Sequence, residues 1–322
     1  MDQVLTLLKD DLVRVEEQFK EDLASDVELI RKVGEYVLGS GGKRMRPMLL
    51  LLCSRLAGYT GDRHVALASV VEFIHTATLL HDDVVDSAVL RRGQESANSV
   101  WGNEASVLVG DFLFAKSFSI MVRQGSLEIL KTLSDATTSM AEGEVQQLIN
   151  TCDLEMDEDR YLDVVRNKTA ILIAAACRVG AILGSSTADQ EEALAGFGME
   201  VGIAFQLMDD ALDYVADETE FGKAQGHDLE EGKMTLPLIH ALKRCTGEER
   251  SRVESIIAEE QLSDESLAAV LELIQRYDGI GYTRQRAESM IASAKSKLHL
   301  FPSSIERDAL ETVADYVVSR RK

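Results

Sequence analysis

The sequence predicts an all-α protein, and three features carry that prediction. Apolar residues recur at helical spacing along nearly all of its 322 residues. Only 3 prolines occur, Pro47, Pro237 and Pro302; proline removes an amide donor and clashes with the preceding turn, so its scarcity permits long helices. Aromatics make up 5% of the chain while Ala, Leu, Glu and Val abound, a composition that favours helix over sheet.

In chain order, Val4, Leu7, Leu8, Leu12 and Val15 mark a first amphipathic helix, acidic rather than a targeting signal. Gly39-Ser40-Gly41-Gly42 interrupts the pattern before a strongly apolar helix over 48–56. The turn at 58–61 precedes a helix over 65–85. Helical spacing continues over 104–122, 126–148, 157–183 and 188–216, with a break at Gly184-Ser185-Ser186. A Gly-rich loop over 222–232 follows, then helices over 236–243, 248–259, 263–276, 281–298 and 304–318. No Pro/Gly/Ser-rich linker divides the chain, so 1–322 reads as a single domain.

The formal charge of −21 argues against nucleic acid and against electrostatic docking to anionic lipid. An anionic substrate would need a basic pocket or bound divalent metal to offset that field. Cys53, Cys152, Cys177 and Cys245 form no CxxC pair and read as thiols in a reducing compartment. No apolar run is read as approaching the ~18 residues of a membrane span, so a cytoplasmic protein without a transmembrane segment is expected.

Two acidic clusters interrupt apolar helices: Asp82-Asp83-Val84-Val85-Asp86 and Asp209-Asp210-Ala211-Leu212-Asp213. Both have the form DDxxD, which puts Asp82 with Asp86, and Asp209 with Asp213, one turn apart on one helix face. Carboxylates flanked by Leu, Val, Met and Phe repel one another and are costly to bury without cations. Hard oxygen ligands so arranged suit Mg²⁺, which bridges carboxylates to substrate phosphates.

The basic residues are placed selectively. Lys43 and Arg46 lie in Gly41-Gly42-Lys43-Arg44-Met45-Arg46-Pro47, a turn opening a buried helix and hence a candidate anion site. Arg91 and Arg92 follow the first cluster, and His75 precedes Asp82 by two turns. Lys168-Thr169 opens an apolar run, while Lys223 and Lys233 flank a loop holding Asp228.

With these segments in order — GGKRMRP, EFIHTATLLHDDVVD, RRG, GNEASVLVGDFLF, GEVQQL, KTA, FQLMDDALDY and GKAQGHDLEEGKMTLPL — the chain resembles the trans-isoprenyl diphosphate synthases of the polyprenyl (octaprenyl to decaprenyl) group. Beyond residue 240 only the helical pattern matches. The resemblance implies long helices bundled around a central cavity, usually in a homodimer. It implies that Asp82, Asp83 and Asp86 hold Mg²⁺ against an allylic diphosphate, and that Asp209, Asp210 and Asp213 hold the remainder of two to three ions. Arg91, Lys168, Thr169, Gln206, Lys223 and Lys233 would contact the allylic diphosphate, farnesyl or geranylgeranyl. Lys43, Arg46, His75 and Arg92 would grip isopentenyl diphosphate. Departing pyrophosphate would remove the proton, so no dedicated base is needed. Ser106, where the family has Ala, is the one small departure.

Ala77 and Thr78 are small where shorter-chain members carry aromatics, which favours a long product. Phe112, Phe114, Phe118 or Met121 would form a deeper floor. The competing readings are a shorter-chain geranylgeranyl or farnesyl diphosphate synthase, a terpene cyclase, a non-catalytic subunit of a heteromeric synthase, and an acidic interaction bundle. The cyclase lacks the basic turn, the subunit typically loses one acidic cluster, and the interaction bundle leaves the placed cations unexplained.

Overall fold

The computed structural model describes residues 1–39, 41–42, 44–91, 93–215, 225–259 and 262–320. In chain order the elements are α1 (Asp2–Asp22), α2 (Glu28–Gly39), α3 (Met45–Leu56), α4 (Arg63–Val85), a hairpin of β1 (Leu90–Arg91) and β2 (Gln94–Glu95), α5 (Ala97–Trp101), α6 (Asn103–Gln124) and α7 (Leu127–Ile149). Then come α8 (Glu158–Val165), a π turn (Arg166–Ala170), α9 (Ile171–Leu183), α10 (Ala188–Asp213), α11 (His227–Glu230), α12 (Leu236–Leu242), α13 (Gly247–Ile257), α14 (Asp264–Arg276), α15 (Gly279–Lys297) and α16 (Ile305–Ser319). The all-α expectation holds.

The chain forms two compact units, each drawn from three stretches. The first comprises Met1–Thr137, Leu172–Gly198 and Lys297–Val313. Its centre is α3, where residues 47–54 are all buried, as expected of a helix apolar on every side. α4 packs against α1, α3 and α6. Ser106 Oγ donates to the Leu80 carbonyl at 2.9 Å, so the departure noted in the sequence ties α6 to α4 beside the first aspartates. Gly180 lets α9 reach α3: a Cβ there would lie 2.6 Å from Cys53 Cβ and 2.8 Å from the Ser54 nitrogen.

An ionic cluster anchors α1. Asp11 accepts from Arg55 at 2.7 and 3.1 Å and lies 3.3 Å from His64 Nε2. Burial alone would raise the Asp11 carboxyl, but the Arg55 and His64 donors outweigh it and hold it below the usual range. This stabilisation is complete above about pH 4 and is lost as the pH falls through the lower folded value. Asp11→Ala is expected to cost about 2–4 kcal/mol in urea unfolding at neutral pH, because Arg55 loses its counter-charge and His64 its hydrogen-bond partner. The difference from the parent protein should shrink below pH 4.

α6 has the length and composition to cross a membrane, although Asp111 and Lys116 interrupt its apolar run. It packs on α2, α4 and α5 within the first unit, as a core helix does. One stripe of it, including Leu108, Phe118 and Val122, stays exposed.

The second unit comprises Thr138–Ile171, Met199–Ser296 and Ala314–Lys322. α12 packs on α8 and α14, and α13 on α14. Glu158 at the start of α8 accepts from Tyr282 at 2.6 Å and Arg286 at 2.8 Å, tying α8 to α15. Thr246 and Glu249 form a capping box that opens α13.

Five features depart from the helical spacing. α2, the short hairpin, α5 and α11, which falls in the loop expected over 222–232, were not expected, and the helix expected over 157–183 is interrupted by the π turn. That turn adds one residue to the local winding and so redirects Lys168 and Thr169.

Candidate active site

In the first unit, Asp82 falls in the last turn of α4 and Asp86 at its C-cap, both half-buried. Asp83, rotated about 100° from Asp82, is 4% exposed and accepts from Arg91 Nε at 2.6 Å. The hairpin delivers Arg91 to this carboxylate. His81, also in the last turn, lies 3.4 Å from Asp111 and 3.2 Å from the Val107 carbonyl.

The second unit repeats the pattern. Asp209 and Asp213 are half-buried at the end of α10, and Asp210 is 3% exposed. Asp210 Oδ2 accepts from the Tyr161 hydroxyl at 2.5 Å, and Oδ1 from Gln206 Nε2 at 2.8 Å. Burial, then the Asp228 charge, pushes the Asp210 carboxyl well above the usual range despite these two donors. Burial beside Asp210 likewise raises the Tyr161 phenol. Asp213 accepts from the Asp228 amide at 3.2 Å.

Both acidic sets therefore sit where a helix is least hospitable to them. The C-terminal end of a helix carries partial negative charge, and each carboxylate there costs about 0.3–1 kcal/mol. Neither α4 nor α10 has a basic residue in its last turn. Bound cations would remove that cost. Among the described residues no three acidic, His or Cys side chains are grouped so that they could hold a metal ion by themselves. A cation here would need oxygens from a ligand as well, as Mg²⁺ does when it binds through one or two carboxylates plus phosphate oxygens.

Among the described residues, three of the cations that the sequence singles out, Arg91, Lys168 and Lys233, are held by carboxylates. Lys168 Nζ lies 2.6 Å from Glu144 and Lys233 Nζ 2.5 Å from Glu231. Gly143 permits the first pairing, since a Cβ there would lie 2.6 Å from the Lys168 nitrogen. Thr169 Oγ1 donates to Gln206 Oε1 at 3.1 Å. Arg46 and His75 are half-buried on α3 and α4. Lys43, Arg92 and Lys223 lie outside the described residues.

Ala77 is wholly buried, so no water-sized opening touches it. Thr78 is half-buried, with its hydroxyl on the His75 carbonyl at 2.8 Å. Phe114 lies 5.8 Å from the His81 ring, Met121 is buried, and Phe118 is 36% exposed on the outer stripe of α6.

Four residues of evident consequence are not distinguished by local spacing. Arg44 adopts a left-handed backbone (φ 48°) and binds Glu72 at 2.7 Å, Glu16 at 2.9 Å and the Leu38 carbonyl at 2.7 Å, which locks the basic turn. Arg320 binds Asp209 at 2.7 Å and lies 4.1 Å over the Phe205 ring. Tyr161 and Glu144 are the others; Glu144 was visible only as part of GEVQQL. A cleft of about 460 Å³ beside Gly232, lined by Leu229, Glu230 and Ile256 among others, includes none of the residues expected at the site.

Comparisons with known proteins bear on this geometry. The family model described as Polyprenyl synthetase matches residues 27–274. An octaprenyl diphosphate synthase of Escherichia coli is 43% identical over 99% of both chains. An all-trans-nonaprenyl-diphosphate synthase of Rhodobacter capsulatus is 38% identical over 98% of this chain and 97% of its own. Among solved structures, a decaprenyl diphosphate synthase from Rhodobacter capsulatus superposes with a TM-score of 0.95 at 42% identity, covering 100% of this chain and 99% of that one. A Caulobacter crescentus polyprenyl synthase, complexed with calcium and isoprenyl diphosphate, gives a TM-score of 0.95 at 41% identity, covering 100% and 98%. Acidic sets at two helix ends, held cations nearby and full-length similarity to these enzymes lead to one conclusion: the chain belongs to the polyprenyl synthetase family.

Proposed function

We propose that this chain is a prenyltransferase that adds isopentenyl diphosphate head-to-tail to an allylic diphosphate, farnesyl or geranylgeranyl, giving a long all-trans-polyprenyl diphosphate. The observation that carries the reading is the placement of two DDxxD sets in the last turns of α4 and α10, where each carboxylate costs about 0.3–1 kcal/mol that a bound cation would offset.

Asp82, Asp86, Asp209 and Asp213 are the carboxylates that hold two to three Mg²⁺. When bound, these ions supply Lewis-acid stabilisation of the leaving pyrophosphate. Lys168, Thr169, Lys223 and Lys233 orient the allylic diphosphate, and Arg91 acts through Asp83. Lys43, Arg46, His75 and Arg92 hold isopentenyl diphosphate. Apolar side chains flanking the aspartates keep water from the developing allylic cation.

A single functional domain over 1–322 is part of this reading, supported by the alignment of the octaprenyl relative over 99% of both chains. A homodimer joined through the exposed stripe of α6 would cover Leu108, Phe118 and Val122. All four cysteines are free, in keeping with a cytoplasmic setting. Quinone side chains are the proposed destination of the product.

The test is incubation with farnesyl diphosphate, labelled isopentenyl diphosphate and Mg²⁺, with the extracted product sized by chromatography. Elongation to long products, abolished by a chelator and restored by added Mg²⁺, is expected. Elongation that survives chelation removes the metal assignment, and no elongation leaves a non-catalytic subunit.

A further inference from the structure

α8, the π turn and the end of α10 share a relay of hydrogen bonds within the second unit. Thr169 Oγ1 donates to Gln206 Oε1, Gln206 Nε2 donates to Asp210 Oδ1, and the Tyr161 hydroxyl donates to Asp210 Oδ2. The Gln206 amide has one orientation that satisfies both of its neighbours, oxygen toward Thr169 and nitrogen toward Asp210. Each Asp210 oxygen thus already accepts from a protein donor. The residue is also 3% exposed, so reaching a cation at the helix surface would mean turning its carboxyl away from both donors, in a buried setting where an unpaired polar group is costly.

The two ends of this relay matter for different reasons. At one end, the π turn carries Lys168 and Thr169. At the other, Asp210 stands next to Asp209 and one turn from Asp213 on α10. Tyr161 is 4% exposed and offers its only polar group to Asp210. A buried phenol spent on a carboxylate fixes the rotation of the helix end that carries it.

We propose that Tyr161 is a positioning residue and Asp210 the strut it holds, together setting Asp209 and Asp213 in register with Lys168 and Thr169. In this arrangement Asp210 is not itself a ligand of the cation. The inference rests on the reading above that Asp209 and Asp213 hold Mg²⁺.

The test uses the full-length chain and four variants: Tyr161→Phe, Asp210→Asn, the double variant, and Asp209→Asn. Mg²⁺ binding is measured by calorimetry with inorganic pyrophosphate present, and kcat and KM are measured for both substrates. Asp210→Asn keeps the shape and an acceptor for Tyr161, so Mg²⁺ binding should weaken by no more than about threefold, against at least about a hundredfold for Asp209→Asn. Tyr161→Phe should weaken Mg²⁺ binding and lower kcat by roughly tenfold each, with KM for isopentenyl diphosphate within about twofold. The double variant should be no worse than Tyr161→Phe, since the two residues act through one contact.

Equal damage from Asp210→Asn and Asp209→Asn would make Asp210 a ligand and overturn the proposal. So would independent, multiplying effects of Tyr161→Phe and Asp210→Asn. Should Tyr161→Phe fail to fold, as judged by its melting curve, the comparison of Asp210→Asn with Asp209→Asn still decides. Parental Mg²⁺ binding in Asp209→Asn would instead remove the metal reading, and this inference with it.

Discussion

Replacing Asp82 or Asp209 by Asn is expected to lower turnover by on the order of a thousandfold, because each loses one charged ligand that stabilises the departing pyrophosphate. The measurement is incorporation of labelled isopentenyl diphosphate at saturating substrate and Mg²⁺. Asp82→Asn should leave the melting temperature unchanged or raise it, since it removes a negative charge from the unfavourable end of a helix, an effect of about 0.3–1 kcal/mol. Asp209→Asn also removes the counter-charge of Arg320, whose side chain is 6% exposed, so this gain should be outweighed and stability should fall. Asp83→Asn should behave in the opposite way to Asp82→Asn. Its carboxylate is 5% exposed on Arg91, so neutralising it removes the counter-charge of that guanidinium and stability should fall. Loss of activity with retained stability marks a residue serving the ligand; parental turnover in Asp82→Asn would remove this carboxylate from the mechanism.

The second large effect is on product length. Ala77→Phe should shift the product to chains several isoprene units shorter, read by reverse-phase thin-layer chromatography of the dephosphorylated product. Ala77 lies one helical turn and a little more before Asp82 on α4, about 7.5 Å along the axis. A phenyl ring at that depth stands where a growing tail must pass if α4 lines its path. Because Ala77 is wholly buried, the ring also overpacks the core, at a cost of about 1–3 kcal/mol. Thr78→Phe separates the two effects, since Thr78 is only half-buried and accommodates the ring with less strain. Shortening in both variants supports a path along this face of α4. An unchanged product in both places the path elsewhere, and Phe114, 5.8 Å from the His81 ring, becomes the residue to substitute.

The long helices were legible wherever one face repeats its apolar residues, as in α1 and α15, because burial of that face is the largest local driving force and is written in nearest-neighbour spacing. α2 was less visible, with only Val33, Gly34 and Leu38 buried along its 12 residues. A hairpin of two-residue strands and a single π turn leave no periodic trace at all. Phe118 shows the limit from the other side: its spacing from Phe114 is equally compatible with core and with the exposed stripe it occupies.

The aspartate sets were legible because carboxylates set among apolar residues demand a cation, and the spacing alone places the outer two of each set on one face. Which carboxylate turns inward was not written there. Asp83 is claimed by Arg91 from the hairpin, and Asp210 by Tyr161 from 49 residues earlier in the chain. The linear chain by itself determined an all-α fold and two cation-demanding helix ends, since both follow from residues within a turn or two of one another. Only folding decided which aspartates face outward and which cations are already paired, since those choices depend on partners distant in sequence that arrive when the helices pack.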